Sequence, residues 1–252
     1  MQIKSLDGGF SSECRAIWKE AFSDGDKFLD YFEKTAFSPL RARALFVENE
    51  IASVLYWFEI EIGGVMGTYI YAVATAKKFR GRGYCKALML DTHRHLESLG
   101  YSFALLVPAS ESLFEFYKGL GYSTSCFIKE YEIVACSEKE TVEKIGAKEY
   151  FEMRKAHLPT DSVNLLSVAK EFLAGQTEFY KGEGILFCGN KDGDRFFCRE
   201  LLGDESKMPS ALAYLGSTVG YVRAPGGDKP FAMSLCFSAD IPKKFYHAFA
   251  FD

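Results

Sequence analysis

The chain has 252 residues, of which 48% are hydrophobic and 25% are charged, so neither a disordered nor a fibrous class is indicated, and the length allows one large domain or two small ones. Lys and Arg number 30 against 34 Asp and Glu, and the net charge of −4 argues against a nucleic-acid-binding surface over the whole molecule. The seven cysteines form no Cys-x-x-Cys pair, which disfavours a disulfide framework and a zinc site. We expect neither an export signal nor a membrane-spanning segment, and hence a cytoplasmic protein.

The first half of the chain alternates between the strand period and the helix period. The middle of this half, residues 42–75, is rich in β-branched and aromatic residues and is interrupted at Glu48-Asn49-Glu50 and at Gly63-Gly64, which predicts a three-strand meander. In chain order the predicted elements are a strand over 1–6, helices over 12–22 and 26–33, the meander, a helix from about 81–83 to Gly100, a strand over 101–109, a short helix over 110–122 and a strand over 126–135. This order predicts an α/β (α+β) domain over residues 1–136, with a mixed central sheet flanked by helices.

The second half follows the charged link "CSEKETVEKIGAK" and repeats the order of helices and then strands. It is predicted to contain helices over 149–157, 163–179 and 206–215, a hairpin that turns at Asp192-Gly193, and strands near Tyr221 and over 231–237 and 245–251. These elements predict a smaller α+β domain over 137–252, which is either a degenerate copy of the first or an unrelated unit. We assign it a substrate cleft or a dimer surface and no catalysis of its own.

The segment "KKFRGRGYCKALM", residues 77–89, places four basic residues and two glycines before an amphipathic helix. A helix N-terminus presents unpaired N–H groups and a partial positive charge, and glycine lets the backbone approach a bound group closely. The turn therefore suits a pyrophosphate, although a solvated basic turn is the alternative. The segment fits neither the P-loop nor the dinucleotide-binding glycine pattern.

Two motifs together resemble the GNAT superfamily of acyl-CoA N-acyltransferases. The first is "VATAKKFRGRGYCKALM", in which Arg80 and Gly83 match the first two fixed positions of the pattern [QR]-x-x-G-x-[GA], and Cys85 replaces the final small residue. The second is "FYKGLGY", about thirty residues later. The presence of Ser110, where the family often has asparagine, resembles a two-domain branch related to the enhanced intracellular survival type.

The resemblance implies that acetyl-CoA binds along one strand and the following turn. The strand backbone would hold the pantetheine arm, a bulge would splay that strand from its neighbour, and the amides of the turn would hold the diphosphate. The implied binding residues are Val73, Ala74, Thr75, Arg80, Gly81, Arg82, Gly83, Tyr84, Cys85 and Ser110.

The resemblance also assigns Tyr117 as the acid that protonates the departing thiolate, which is reasonable because a phenol has a pKa of ~10 and a thiol has a pKa of ~8.5. Without the resemblance, Tyr117 is a core tyrosine on a short amphipathic helix. The general base that accepts the proton of the amine is not identified by the resemblance. Glu59 and Glu61 share one face of a strand, and either could accept the proton through a water molecule, although such carboxylates are often only solvated. In the related branch the carboxylate at the C-terminus of the chain can serve as the base, and in this sequence that residue is Asp252.

The sequence therefore predicts an N-acetyltransferase that moves an acetyl group from acetyl-CoA directly to a primary amine, on a small molecule or a peptide, without a metal. The alternative is a non-catalytic acyl-CoA-binding or regulatory module. We expect no nucleic-acid partner and no membrane partner, and the sequence leaves a homodimer open.

Overall fold

The computed structural model of the protein describes residues 1–238 and 241–251, and these residues form a mixed α+β fold. The α-helices in this part of the chain are α1 (Ser12–Phe22), α2 (Asp26–Thr35), α3 (Tyr84–Ser98), α4 (Glu111–Lys118), α5 (Ala147–His157), α6 (Ser167–Ala174) and α7 (Met208–Leu215). The strands are β1 (Gln2–Ser5), β2 (Ala42–Val47), β3 (Glu50–Ile62), β4 (Val65–Thr75), β5 (Phe103–Leu106), β6 (Ser123–Val134), β7 (Glu143–Ile145), β8 (Val163–Leu165), β9 (Glu178–Gly182), β10 (Ile185–Asp192), β11 (Arg195–Gly203), β12 (Val219–Pro225) and β13 (Lys229–Cys236).

The chain divides into two compact units that are discontinuous in sequence. Unit 1 comprises Met1–Ser123, Asn164–Phe172 and Met233–Ile241, and unit 2 comprises Thr124–Val163, Leu173–Ala232 and Pro242–Asp252. Segments of the predicted second half thus belong to unit 1. The division into domains at residue 136 stays a prediction.

The sheet of unit 1 has the strand order β1-β2-β3-β4-β5-β13. The pairs are antiparallel except that β4 and β5 are parallel, so the sheet is mixed, as the sequence predicted. Because side chains alternate along a strand, neighbouring residues of β3 pack on opposite faces. Tyr56 contacts Trp18 of α1 and Phe32 of α2 on one face, whereas Trp57 contacts His95 of α3 on the other.

The sheet of unit 2 has the order β6-β12-β11-β10-β9-β7 and is also mixed, because β11 and β12 are parallel while the other pairs are antiparallel. One apolar cluster in its core joins Phe187 and Phe196 of the strands to Leu212 of α7. A buried polar group lies elsewhere in the unit, where Arg154 of α5 donates to both carboxylate oxygens of Glu200 at 2.6 and 2.8 Å. Neither side chain is more than 3% exposed.

Two predictions for the second half are wrong. The predicted helix over 163–179 is divided into β8, α6 and β9, because Gly175 follows the last residue of α6 and Phe179 and Tyr180 pair with β10. The predicted strand over 245–251 is irregular in structure, and among the residues that the structure describes its strand pairing is limited to an isolated bridge between Tyr246 and Ser162. Its backbone is held by single hydrogen bonds, including one from the Phe245 amide to the Ser125 carbonyl at 2.9 Å.

Candidate active site

A β-bulge interrupts β4 near its C-terminal end. Tyr71 of β4 pairs with Tyr56 of β3, whereas Ala74 pairs with Val54, so two residues of β4 lie opposite one residue of β3. Ala72, within the bulge, has a φ of 48°, which an alanine rarely adopts. A bulge bends its strand and increases the local twist. The bulge implied by the resemblance is therefore present on the strand that was expected to contain it.

Strands β4 and β5 separate just before this bulge. Their parallel ladder joins Gly67–Tyr69 to Phe103–Leu105. In the described part of the chain β4 continues for six residues beyond Tyr69, to Thr75, without further pairing to β5. The edge of β4 at Val73–Thr75 therefore faces a gap in the sheet, where an extended ligand could hydrogen-bond to the backbone as an additional strand would.

The turn after β4 carries two glycines in the left-handed region. Gly81 has a φ of 73°, and Gly83, which precedes the first residue of α3, has a φ of 77°. A Cβ atom built on either glycine would meet nothing within 4 Å, so the space over the turn is open. The N-cap residue of α3 is Gly83, which has no side chain to form a capping hydrogen bond with the first amides of the helix. The turn therefore presents uncapped amides and the positive end of a helix to an open space, which is the arrangement that binds a diphosphate.

The arginines of the turn have different surroundings. Arg80 turns back toward the protein: its Nε donates to the Thr75 carbonyl at 3.0 Å and its guanidinium to the Glu20 carbonyl at 3.3 Å. Arg80 thus fastens the turn to the end of β4 and to α1 while keeping its charge near the turn. Arg82 lies over the ring of Phe79 at 5.7 Å, and within the described residues its guanidinium makes no ion pair and no hydrogen bond, so it is available to an approaching anion. The Tyr84 ring contacts Phe79 edge-on at 6.0 Å.

Cys85 and Tyr117 come together beside the gap. Burial raises the pKa of the Cys85 thiol to about 11, a shift that its hydrogen bond with Thr75 only partly opposes, so the thiol is neutral near pH 7. Tyr117 of α4 is 7% exposed. Its pKa is raised, first by burial and then by the nearby Cys85 sulfur. Among the described residues no group accepts or donates a hydrogen bond at the Tyr117 hydroxyl, which leaves it able to donate to a ligand in the gap.

The remaining predicted site residues lie in different places. Ser110 precedes α4 and is exposed, and its Oγ is 3.0 Å from that of Ser112. Glu59 pairs in register with Thr68, which lies four residues before Ala72 and thus roughly 13 Å away at ~3.3 Å per residue. The Tyr101 hydroxyl donates to Glu59 Oε1 at 2.6 Å.

Glu61 lies one strand repeat further from the bulge, at the turn between β3 and β4. Its Oε1 accepts a hydrogen bond from the Gly64 amide at 3.1 Å. The structure thus brings the residues of β4, the turn and Tyr117 together, but not the two glutamates. Asp252 lies outside the described residues.

A buried histidine behind Tyr117 is a feature that the sequence reasoning missed. His93 of α3 has its Nε2 3.0 Å from the hydroxyl of Tyr122, and the Tyr122 ring contacts that of Tyr117 edge-on at 5.8 Å. Burial and, to a smaller extent, the charge of Arg94 lower the pKa of His93 to about 4, so the imidazole is neutral near pH 7. Residue 93 lies on α3 and residue 122 lies in the turn between α4 and β6, and no local sequence pattern pairs them.

Within residues 1–238 and 241–251, no group of three or more His, Cys, Asp or Glu side chains is arranged to hold a metal ion. None of the helices in the same part of the chain is long and apolar enough to cross a membrane.

The chain is similar to known proteins in part of its sequence and in its fold. Residues 2–125 match a family model described as an acetyltransferase (GNAT) domain. A GCN5-related N-acetyltransferase from Kribbella flavida has a TM-score of 0.70 at 15% identity, with 92% of this chain and 70% of that chain covered. A putative acetyltransferase from Pyrococcus horikoshii has a TM-score of 0.64 at 12% identity, with 98% and 94% covered.

Eis1 from Mycobacterium abscessus has a TM-score of 0.62 at 12% identity, with 91% of this chain and 66% of that chain covered. At these identities the solved structures show a common fold. No curated protein matches the sequence significantly.

Proposed function

Because residues 2–125 match a family model described as an acetyltransferase (GNAT) domain, we propose that the protein transfers an acetyl group from acetyl-CoA to a primary amine, with Tyr117 as the general acid. The observation that carries the proposal is the gap beyond Tyr69, bordered by the unpaired edge of β4 and by the free hydroxyl of Tyr117. The residues around this gap fit coenzyme A, since a strand edge suits the pantetheine amides and the glycine turn suits the diphosphate.

Each part of the site has a separate task in this proposal. Val73, Ala74 and Thr75 bind the pantetheine arm through their backbone, with Ser110 at the far side of the arm. The diphosphate is held by amides of the turn and the first residues of α3, namely Arg80, Gly81, Arg82, Gly83, Tyr84 and Cys85. The hydrogen bonds from the Arg80 side chain to the carbonyls of Thr75 and Glu20 hold the turn in place while the ligand binds.

In the chemical step the amine nitrogen attacks the thioester carbonyl, and the carbon–sulfur bond breaks as the amide forms. The departing thiolate takes the hydroxyl proton of Tyr117, and the resulting phenolate is reprotonated from solvent. Because its pKa is raised above the ordinary value of 10.0, Tyr117 is protonated at neutral pH, and the acid is available throughout the physiological range. Since Cys85 is also held as a neutral thiol, direct transfer is favoured over an acyl-cysteine intermediate.

The amine acceptor must lose a proton before or during attack, because an alkylammonium with a pKa of ~10.4 is almost fully charged at pH 7. Glu59, Glu61 and Asp252 remain the proposed bases. Glu59 and Glu61 lie on β3 away from the bulge of β4, so either would act only through a chain of intervening waters. The variants Glu59→Gln and Glu61→Gln distinguish them, because the variant that lacks the base should lose the rise of kcat/KM with pH.

The decisive experiment combines coenzyme A binding with acetyl transfer. Tyr117→Phe should keep the dissociation constant of coenzyme A within about twofold but lower kcat by roughly 10²–10⁴, the usual contribution of a general acid. Tyr122→Phe is the matched control, since it removes the hydroxyl of a neighbouring buried ring that already has His93 as its partner. Unchanged kcat in Tyr117→Phe would refute the assigned acid. A wild-type protein that binds coenzyme A but acetylates no amine in a broad panel would instead be an acyl-CoA-binding module.

A further inference from the structure

A buried serine faces the end of β4 from the neighbouring strand. Ser53 lies on β3 within residues 51–58, all of which are buried, and it is 0% exposed. It pairs in register with Thr75, the last residue of β4, which lies beyond the bulge. A hydroxyl in such surroundings costs free energy unless it is hydrogen-bonded, so its partners indicate why it is there.

The Ser53 hydroxyl has two partners, and both are at the end of β4. Its Oγ donates to the Ala74 carbonyl at 2.9 Å and lies 2.9 Å from the Oγ1 of Thr75. A serine hydroxyl has one proton, so the Thr75 hydroxyl is the donor in the second hydrogen bond. Thr75 then has no proton left for its hydrogen bond with Cys85, and the Cys85 thiol donates there. The result is a chain of hydrogen bonds that runs in one direction, from the Cys85 thiol to the Ala74 carbonyl.

The backbone at this end of β4 points into the gap between β4 and β5. The amide of Ala76, which follows β4, donates to the Ala52 carbonyl at 3.0 Å and therefore points toward β3. Because this direction alternates along a strand, the Thr75 backbone points away from β3, and its carbonyl accepts there from Arg80 Nε. The Ser53 hydroxyl thus holds this stretch of β4 from the side opposite the gap.

The chain of hydrogen bonds joins the two parts of the proposed coenzyme A site. Thr75 belongs to the strand edge that is proposed for the pantetheine arm, and Cys85 lies in the first turn of α3, whose amides are proposed to hold the diphosphate. In the described part of the chain this edge has no pairing with β5, and the bulge interrupts the ladder to β3. Fewer backbone hydrogen bonds therefore fix the edge, and the side-chain hydrogen bonds from β3 replace part of that support.

We propose that Ser53 is a positioning residue for coenzyme A, because its hydroxyl fixes the edge of β4 and the first turn of α3 relative to each other. The inference rests on the proposed function. Without the hydroxyl, the Thr75 side chain loses its acceptor, and the strand edge and the turn move more independently. A ligand that contacts both parts at once then binds more weakly, because its binding has to order them.

Titration calorimetry of the full chain with coenzyme A tests the proposal. Ser53→Ala should weaken coenzyme A binding roughly fivefold to tenfold, the factor that corresponds to about one net hydrogen bond. Ser53→Thr and Ser53→Val introduce side chains of nearly the same shape, but only threonine keeps the hydroxyl. Ser53→Thr should therefore bind coenzyme A about fivefold more tightly than Ser53→Val.

Thr92→Val is the matched control for the loss of a buried hydroxyl. Thr92 is also 0% exposed, but its hydroxyl donates to the Leu88 carbonyl within α3 at 2.8 Å and takes no part in the chain of hydrogen bonds. The affinity of Thr92→Val for coenzyme A should stay within about twofold of the wild type.

The other hydroxyl of the chain gives an independent test. Thr75 is only half-buried, so Thr75→Val keeps the test available if the Ser53 variants fail to fold. Thr75→Val should weaken coenzyme A binding by a similar factor, whereas Thr75→Ser should not. Because the two hydroxyls act through one hydrogen bond, the loss in Ser53→Ala combined with Thr75→Val should be smaller than the sum of the two single losses.

Steady-state kinetics separates positioning from a merely structural role. Ser53→Ala should raise the KM for acetyl-CoA by about the same factor as the dissociation constant of coenzyme A, while the KM for the amine stays unchanged. A serine that only stabilised the fold would lower the folded fraction, which reduces the apparent kcat and leaves both KM values as they are.

Wild-type affinity in both Ser53→Ala and Ser53→Val would overturn the proposal. Equal affinities of Ser53→Thr and Ser53→Val, or fully additive losses in the double variant, would also overturn it. A wild type that does not bind coenzyme A would instead overturn the proposed function, and this inference with it. The two failures are distinguishable, because the first set of results requires a wild type that binds.

Discussion

Acidification should destabilise this protein through His93. The imidazole is 7% exposed, and its Nε2 lies 3.0 Å from the hydroxyl of Tyr122. Burial, reinforced by the charge of Arg94, lowers its pKa from 6.5 to about 4. The folded state therefore favours the neutral imidazole, whereas the unfolded chain binds a proton at the ordinary pKa.

The sign and size of the effect follow from this difference. Between about pH 4 and 6.5 the unfolded state binds more protons at this site than the folded state, so the free energy of unfolding rises with pH in that window. The stability is fully present above pH 6.5 and is lost as the pH falls toward 4. At 1.36 kcal/mol for each pKa unit, the loss from His93 approaches about 3 kcal/mol.

Urea unfolding of the wild type and of His93→Gln, each at about pH 7.5 and 4.5, measures the contribution of His93 to the loss of stability. Glutamine does not titrate and can still hydrogen-bond to Tyr122. Carboxylates and the other histidines contribute similarly to both proteins and cancel in the comparison. The wild type should lose about 2 to 3 kcal/mol more than the variant on acidification. Replacing the exposed His157 with glutamine should leave the wild-type loss unchanged, and parallel losses in wild type and His93→Gln would refute the reasoning.

Two further substitutions test the glycine turn and the buried ion pair. Gly83→Ala adds a Cβ that meets nothing within 4 Å, but it does so at a φ of 77°, so it should cost about 1–2 kcal/mol of backbone strain. By shifting the amides of the turn, it should also weaken the binding of coenzyme A roughly tenfold, as measured by titration calorimetry. Gly63→Ala has the same open surroundings at a φ of 57° in the hairpin between β3 and β4 and should leave coenzyme A affinity unchanged, so equal affinities of the two variants would count against the diphosphate site. Arg154→Met leaves the Glu200 carboxylate buried without its cation and should lower the free energy of unfolding by about 3–5 kcal/mol, while Arg154→Met combined with Glu200→Leu should recover much of that loss in denaturant titrations. A double variant as unstable as the single one would show that the charge is not the cause.

Much of the first unit could be predicted from the sequence because its signals are local. Hydrophobic period and turn glycines placed β3, β4 and α3, and two motifs about thirty residues apart indicated the GNAT resemblance, which the family match over residues 2–125 confirms. The secondary structure of the second half of the chain was harder to predict. There the predicted helix over 163–179 combined two strands and a short helix, because short apolar runs have no period that separates the alternatives.

The sequence by itself determined where a diphosphate site is proposed, since a glycine-rich turn before an amphipathic helix presents amides and a positive helix end wherever the helix packs. The tertiary structure alone decided the rest of the site. It placed Cys85 beside Tyr117, paired His93 with Tyr122, and bulged β4 at Ala72 so that its edge separates from β5. These contacts join residues far apart in the chain, and their burial, pKa values and register depend on packing that no local pattern encodes.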